Sequence, residues 1–154
     1  MGSLPFRSLL FASIAVFLIF AYIEEAQAKR LTRCEAARHL QRGGISRSFI
    51  SNWLCLMETV SNLQTDVVLG PQRGSIYTYG IFQISSNGWC ARGRPGGVCN
   101  MRCENLVNDD ISDDIQCAKK IYNSQGWSAW EGWTKSCKNK SPSQLPNFIN
   151  CRRR

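Results

Sequence analysis

An α+β domain, mainly helical with one small antiparallel sheet, is the fold class this sequence predicts, and three observations carry it. Apolar residues recur at helical spacing at Trp53, Leu54, Met57 and Val60, and again at Ile115, Ala118, Ile121 and Tyr122. Between these runs, Gly70-Pro71, Gly74 and Gly80 punctuate a stretch of Ile76, Tyr77, Thr78, Tyr79 and Ile81, a texture of short strands and tight turns. Eight cysteines, an even number, all follow an apolar leader, as in a small domain stapled by disulfides in an oxidising compartment.

The leader runs from Met1 to Ala28. It holds one basic residue, Arg7, an apolar run from Leu9 to Ile23, and the small-x-small signal Ala26-Gln27-Ala28. That run falls short of the roughly 20 residues of a spanning helix, so the segment reads as a secretory signal peptide, with residues 29–154 as one mature domain. No later segment is apolar enough to span a membrane. Cleavage removes Arg7, Glu24 and Glu25, leaving the mature chain one unit more basic than the full chain's +8. A secreted domain this basic is drawn to anionic surfaces through a salt-sensitive and unspecific field.

In the mature chain, Glu35 to Leu40 begins a short helix that Gly43-Gly44 stops, and Ile50 to Leu63 forms a second. The small sheet follows, then a loop from Gly88 to Gly97. Asp109, Asp110, Asp113 and Asp114 crowd the start of an amphipathic helix, where the helix dipole favours acids. Ser128 to Cys137 forms a final helix. Zinc is a poor use of the cysteines, because Cys99 and Cys103 are the only close pair and the single histidine, His39, lies far off in sequence. Cysteine count alone leaves roughly a hundred pairings open.

Six local motifs sit in the order and near the spacing of one known family. They are Cys34-Glu35, Asn52-Trp53-Leu54-Cys55, Tyr79-Gly80-Ile81-Phe82-Gln83-Ile84, Trp89-Cys90, Cys117-Ala118-Lys119-Lys120-Ile121 and Ala129-Trp130-x-x-Trp133. Along essentially the whole mature chain the sequence resembles the c-type lysozyme/α-lactalbumin family (glycoside hydrolase family 22). The resemblance implies a helical lobe and a small sheet lobe with a cleft between them that holds a β-1,4-linked aminosugar chain. It also implies the disulfides Cys34 to Cys151, Cys55 to Cys137, Cys90 to Cys103 and Cys99 to Cys117, and a monomer with no specific nucleic-acid partner.

Retaining glycoside hydrolysis needs a protonated carboxylic acid and an ionised carboxylate about 5–5.5 Å apart; lysozyme is the type case from which that rule is drawn. In members of the family the acid is a Glu five residues after the cysteine of the Trp-x-Cys motif. Here Val60 holds that place. The second carboxylate is an Asp just before Tyr-Gly-Ile, and here Thr78 holds that place. Neither residue can exchange a proton as an acid or carry the negative charge. Glu58 lies two residues, about 200°, around a helix from Val60 and points elsewhere. Glu131, beside Trp130, is the one surrogate proton donor the resemblance brings near the cleft.

Sugar rings are held by aromatic faces and amide or backbone hydrogen bonds rather than by catalytic acids, so binding can outlast catalysis. Gln83, Ser85, Trp89, Ala129 and Trp130 match cleft positions, whereas Trp53 and Trp133, beside disulfide cysteines, read as core. The expected function is a secreted glycan-binding protein with little or no hydrolysis. The alternatives are an active muramidase using Glu131 and a cationic antimicrobial protein acting on anionic bacterial surfaces.

The acidic stretch also resembles the calcium loop of α-lactalbumin and calcium-binding lysozymes. The ligands would be the carboxylates of Asp113 and Asp114, the side-chain oxygen of Asn108, and the main-chain carbonyls of Asn105 and Asp110. Calcium asks for six to eight oxygens and rewards carboxylates, and Asn105 and Asn108 stand where the family has Lys and Asp. Helix N-capping is the plainer use of these acids. No cofactor is required.

Overall fold

The computed structural model describes residues 30–72 and 74–151. The signal-peptide expectation for 1–28 and the Arg152 to Arg154 tail lie outside the described residues. No described helix is long and apolar enough to cross a membrane.

Helix α1, Arg33–Arg42, starts where Thr32 caps it: its hydroxyl accepts the Glu35 N–H at 3.2 Å and the Glu35 carboxylate accepts the Thr32 N–H at 2.8 Å. This reciprocal capping box satisfies two otherwise orphaned donors. Ala36, Ala37 and Leu40 face the core, and the helix ends at Gly43, whose N–H donates to the His39 carbonyl at 2.8 Å while the Gly44 N–H donates to the Gln41 carbonyl at 3.1 Å. A 3-10 turn, Arg47–Phe49, leads into α2, Ile50–Ser61. The expected extension of α2 to Leu63 does not form. Asn62 and Leu63 both adopt left-handed backbone, φ 53° and 62°, and Asn62 closes the helix in the manner of a C-terminal cap.

The sheet has three antiparallel strands in sequential order, β1 Val68–Gln72, β2 Ile76–Tyr79 and β3 Ile84–Ser85. On the central strand, Thr78 pairs with Leu69 on one side and Ser85 on the other. Ile81 was expected in this sheet but belongs to the turn after β2. Gly80 there has φ 70°, and a Cβ on it would lie 2.0 Å from the Leu106 carbonyl oxygen, so the chain must turn at a glycine. Residues 88–97 form the expected loop.

A 3-10 turn, Cys103–Val107, precedes α3, Ser112–Gln125. The last predicted helix is split. Gly126–Ala129 is 3-10, Trp130 is extended at φ −116° and ψ 106°, and α4 covers only Glu131–Ser136. The break comes from tertiary contact, because the Trp130 indole is turned inward to donate to the Phe82 carbonyl at 2.9 Å.

One core joins both lobes. Trp53 meets Phe82 and Trp130 edge-on at ring separations of 5.7 and 5.8 Å, and Trp127 stacks on Trp133 at 4.8 Å. Trp53 and Trp133 are buried, as expected of core residues. The four disulfides are Cys34–Cys151, Cys55–Cys137, Cys90–Cys103 and Cys99–Cys117, the pattern the resemblance implies.

Candidate functional site

Between the sheet and the helical lobe lies a cleft of about 480 Å3. From the helical side it is lined by Thr59 and Val60 at the end of α2, Ile121 of α3, and Ala129, Trp130, Glu131 and Gly132 around the helix break. From the sheet side come Leu69, Gln72, Ile76, Thr78, Gln83, Ile84 and Ser85, with Asn87 and Trp89 from the loop beyond. Val60 and Thr78 therefore line one cleft from opposite lobes, together with Gln83, Ser85, Trp89, Ala129, Trp130 and Glu131.

Gln83 organises the floor. Its backbone is left-handed at φ 50°, and its side chain is almost fully buried. The amide Nε2 donates to the carbonyls of Val67 at 3.0 Å and Gly80 at 2.8 Å, which leaves Oε1 to accept the Thr78 hydroxyl proton at 2.5 Å. Nearby, the buried Ser61 hydroxyl reaches the carbonyls of Met57 at 2.9 Å and Ile81 at 2.8 Å, tying the end of α2 to the turn after β2. Val60 is half-buried, and the absence of a side chain at Gly132 makes room for it: a Cβ there would lie 2.9 Å from Val60 Cγ1.

The aromatic residues divide their work. Trp130 is 5% exposed, with its indole N–H spent on Phe82, so it contributes cleft floor rather than a free ring face. Trp89 is half-buried and lies on the rim, where a ring face can meet a ligand.

Among the described residues, Glu131 is the sole ionisable group lining the cleft. Its side chain is 79% exposed and pairs with Lys135 one helical turn on. Glu58 faces away, as its helical angle from Val60 predicts, and holds Arg33 Nε at 2.7 Å. Glu35 is engaged in the α1 cap. The cleft thus offers hydroxyls, amides, backbone and aromatic surface, with a single carboxylate at its edge.

Gln72, Asn87 and Gly132 line the cleft without any sequence signal singling them out. Strand register, the loop path and the helix break bring them there.

The acidic stretch is bonded to itself. Asn108 Nδ2 donates to the Asn105 carbonyl at 2.6 Å, Asn108 Oδ1 accepts the Asp110 N–H at 2.8 Å, and Asp110 Oδ1 accepts the Ser112 N–H at 3.0 Å. Hydrogen bonds from the Ser112 side chain and backbone hold the Asp110 carboxyl below the usual range. Asp114 instead turns inward, 1% exposed, and neither carboxyl oxygen has a hydrogen-bond partner. Burial pushes its pKa well above the usual carboxylate value, and the Asp113 charge adds to the shift. Among the described residues no group of three or more His, Cys, Asp or Glu converges as metal ligands. As arranged, Asn105, Asn108, Asp110, Asp113 and Asp114 do not fit a calcium ion: the Asn108 amide nitrogen occupies the Asn105 carbonyl, and the Asn108 side-chain oxygen is taken by the Asp110 N–H.

This two-lobed fold, its disulfides and its cleft agree with what comparison with known proteins shows. A model of the C-type lysozyme/alpha-lactalbumin family matches residues 29–151, and the chain belongs to that family. Lysozyme c-1 of Anopheles gambiae is 39% identical over 139 residues, covering 90% of this chain and 96% of that one. The lysozyme of Hyalophora cecropia is 38% identical over 139 residues, covering 90% and 97%. Among solved structures, a calcium-binding lysozyme from equine milk superimposes with a TM-score of 0.65 at 35% identity, over 75% of this chain and 94% of that one.

Proposed function

We propose that this protein is a secreted lysozyme-fold binder of peptidoglycan- or chitin-type β-1,4 aminosugar glycans with little or no hydrolytic activity. One observation carries the reading: the cleft is lined by Val60 and Thr78 where hydrolysis requires a carboxylic acid and a carboxylate. A positioned general acid commonly contributes about 10²–10⁴-fold in rate, and Val60 has no proton to give. Thr78 directs its hydroxyl at Gln83 and supplies no formal charge to an oxocarbenium-like centre.

The groups that hold a sugar remain. Trp89 offers a ring face, Ser85 and Asn87 offer polar atoms along the rim, and the Gln83 network keeps the floor rigid. The eight cysteines in four bridges and the leader before Lys29 support an extracellular location. A second reading, active hydrolysis by Glu131, has one observation in its favour, its place in the cleft lining. Its exposed side chain, turned to Lys135, and the lack of an opposing carboxylate weigh against it.

The test is a pull-down of oxidised protein on insoluble peptidoglycan and chitin beside a turbidity assay on peptidoglycan, run with the wild type and with a Val60→Glu, Thr78→Asp variant. Wild-type binding without clearing, with clearing gained by the variant, is the expected result. Clearing by the wild type that is abolished by Glu131→Gln would overturn it.

A further inference from the structure

We infer that Asn87, on the rim of the cleft, is a site of spontaneous modification: its side-chain amide converts to a carboxylate through the neighbouring Gly88, and the new charge tilts the cleft from anionic glycan chains toward neutral ones. The effect on ligands rests on the glycan-binding reading proposed above; the modification itself does not. No local spacing marks Asn87 as a cleft residue, but among the asparagines of this chain it alone is followed by glycine. A side chain on the following residue crowds that residue's nitrogen, and glycine has none. Asn123 precedes the small Ser124, but both lie within α3, where backbone N–H groups are committed to the helix.

The turn leaves both reacting groups accessible. Asn87 is exposed and lines the cleft from the loop after β3, together with Ser85 and Trp89. Its backbone N–H donates to the Ser85 hydroxyl at 3.0 Å, but among the described residues no hydrogen bond holds its side-chain amide. Gly88 has φ 86°, and nothing lies within 4 Å of where a Cβ would project from it, so no other part of the chain crowds this turn. The Gly88 N–H donates to the Ser86 carbonyl at 3.0 Å, a bond across two residues that belongs to no helix or strand and opens without disturbing either. The Gly88 carbonyl accepts the Val98 N–H at 2.9 Å, which keeps the turn anchored while its nitrogen reacts.

The Gly88 nitrogen loses its proton to solvent and attacks the side-chain carbonyl carbon of Asn87. A cyclic imide forms as the new N–C bond is made, the bond from that carbon to Nδ2 breaks, and ammonia leaves. Water then opens the imide at either carbonyl, giving Asp or isoaspartate at position 87. One water is consumed and one ammonia released, with no change of oxidation state. Residue 87 thereby joins Glu131 as a carboxylate of the cleft lining. At a solvated rim such a charge repels like charges modestly and is screened by salt. Peptidoglycan carries lactyl and peptide carboxylates and chitin carries none, so the new charge separates the two ligands.

The experiment stores the oxidised protein and its Asn87→Gln and Gly88→Ala variants at mildly alkaline pH, then maps the products by peptide mass spectrometry with isoaspartyl methyltransferase labelling. The wild type should gain an acid at residue 87 before any other asparagine, in both Asp and isoaspartate forms, and neither variant should. Thermal melts check that each variant is folded. For freshly prepared Asn87→Asp, the ratio of peptidoglycan to chitin retention should fall about threefold below the wild type's at low salt and recover at high salt. An unmodified residue 87, conversion at the wild-type rate in Gly88→Ala, or an Asn87→Asp ratio equal to the wild type's would each overturn the inference. Fresh wild type that binds neither glycan would count against the binding reading, while the mass spectra still decide the modification.

Discussion

Thr78 and Gln83 show what a cleft gains when its charge is removed. An Asp at 78 would face Gln83 Oε1 acceptor to acceptor, whereas the Thr78 hydroxyl can donate to it at 2.5 Å. The amide of Gln83 then uses both N–H groups on the carbonyls of Val67 and Gly80. Gln83→Ala strips the side-chain bonds from both carbonyls, leaving each only its backbone donor, and takes the acceptor from the Thr78 hydroxyl. It should cost about 1–3 kcal/mol in thermal or denaturant unfolding and lower retention on chitin, because the floor loses its brace. The Thr78→Asp part of the double variant reverses the logic at the same spot: it restores a carboxylate and forces Gln83 to present its amide differently. Clearing activity gained only when Val60→Glu accompanies it would show that the acid and the carboxylate act as a pair.

At the scale of an element, the start of α3 carries a cost the rest of the helix does not. Asp114 lies in its first turn, buried and unpartnered, and burial raises its pKa well above the ordinary value. The folded form therefore holds this proton more tightly than the unfolded chain does. The contribution of Asp114 to stability is therefore greatest in acid and declines as pH rises above the ordinary carboxylate range, about 4, toward the raised folded-state value. Asp114→Asn should melt at a higher temperature than the wild type at neutral pH, with the difference closing in acid; equal slopes of melting temperature against pH would contradict this. Asp110 behaves oppositely, because Ser112 stabilises its charged form. With the loop bonded to itself, added calcium and added chelator should both leave the melting temperature unchanged. A rise with calcium, which mass action requires of any ion that binds the folded form, would show that the loop rearranges to take it.

Across the whole molecule, stability and position are shared between a mixed aromatic core and four bridges. Cys34–Cys151 spans 117 residues and ties α1 to the C-terminal segment, where Cys151 lines a small cavity with Arg38 and Phe148. Replacing both cysteines with Ala should cost about 2–5 kcal/mol in chemical unfolding. The cleft, braced instead by Gln83, Ser61 and the Trp130 indole, should keep its chitin retention in the fraction that remains folded.

By itself, the sequence determined the class of fold, the disulfide framework through its resemblance, and the two non-ionisable positions, because residue type and spacing carry those signals directly. Val60 and Thr78 could be named before any coordinates because they sit at counted distances from Cys55 and Tyr79. Only the tertiary structure decided that Ile81 turns instead of extending a strand, since the Leu106 carbonyl leaves no room for a side chain at Gly80. It likewise decided that Trp130 breaks the last helix to reach Phe82, and that Asn108 spends its amide on Asn105. Each of those outcomes depends on a partner distant in sequence or on which way a side chain rotates, and local spacing records neither.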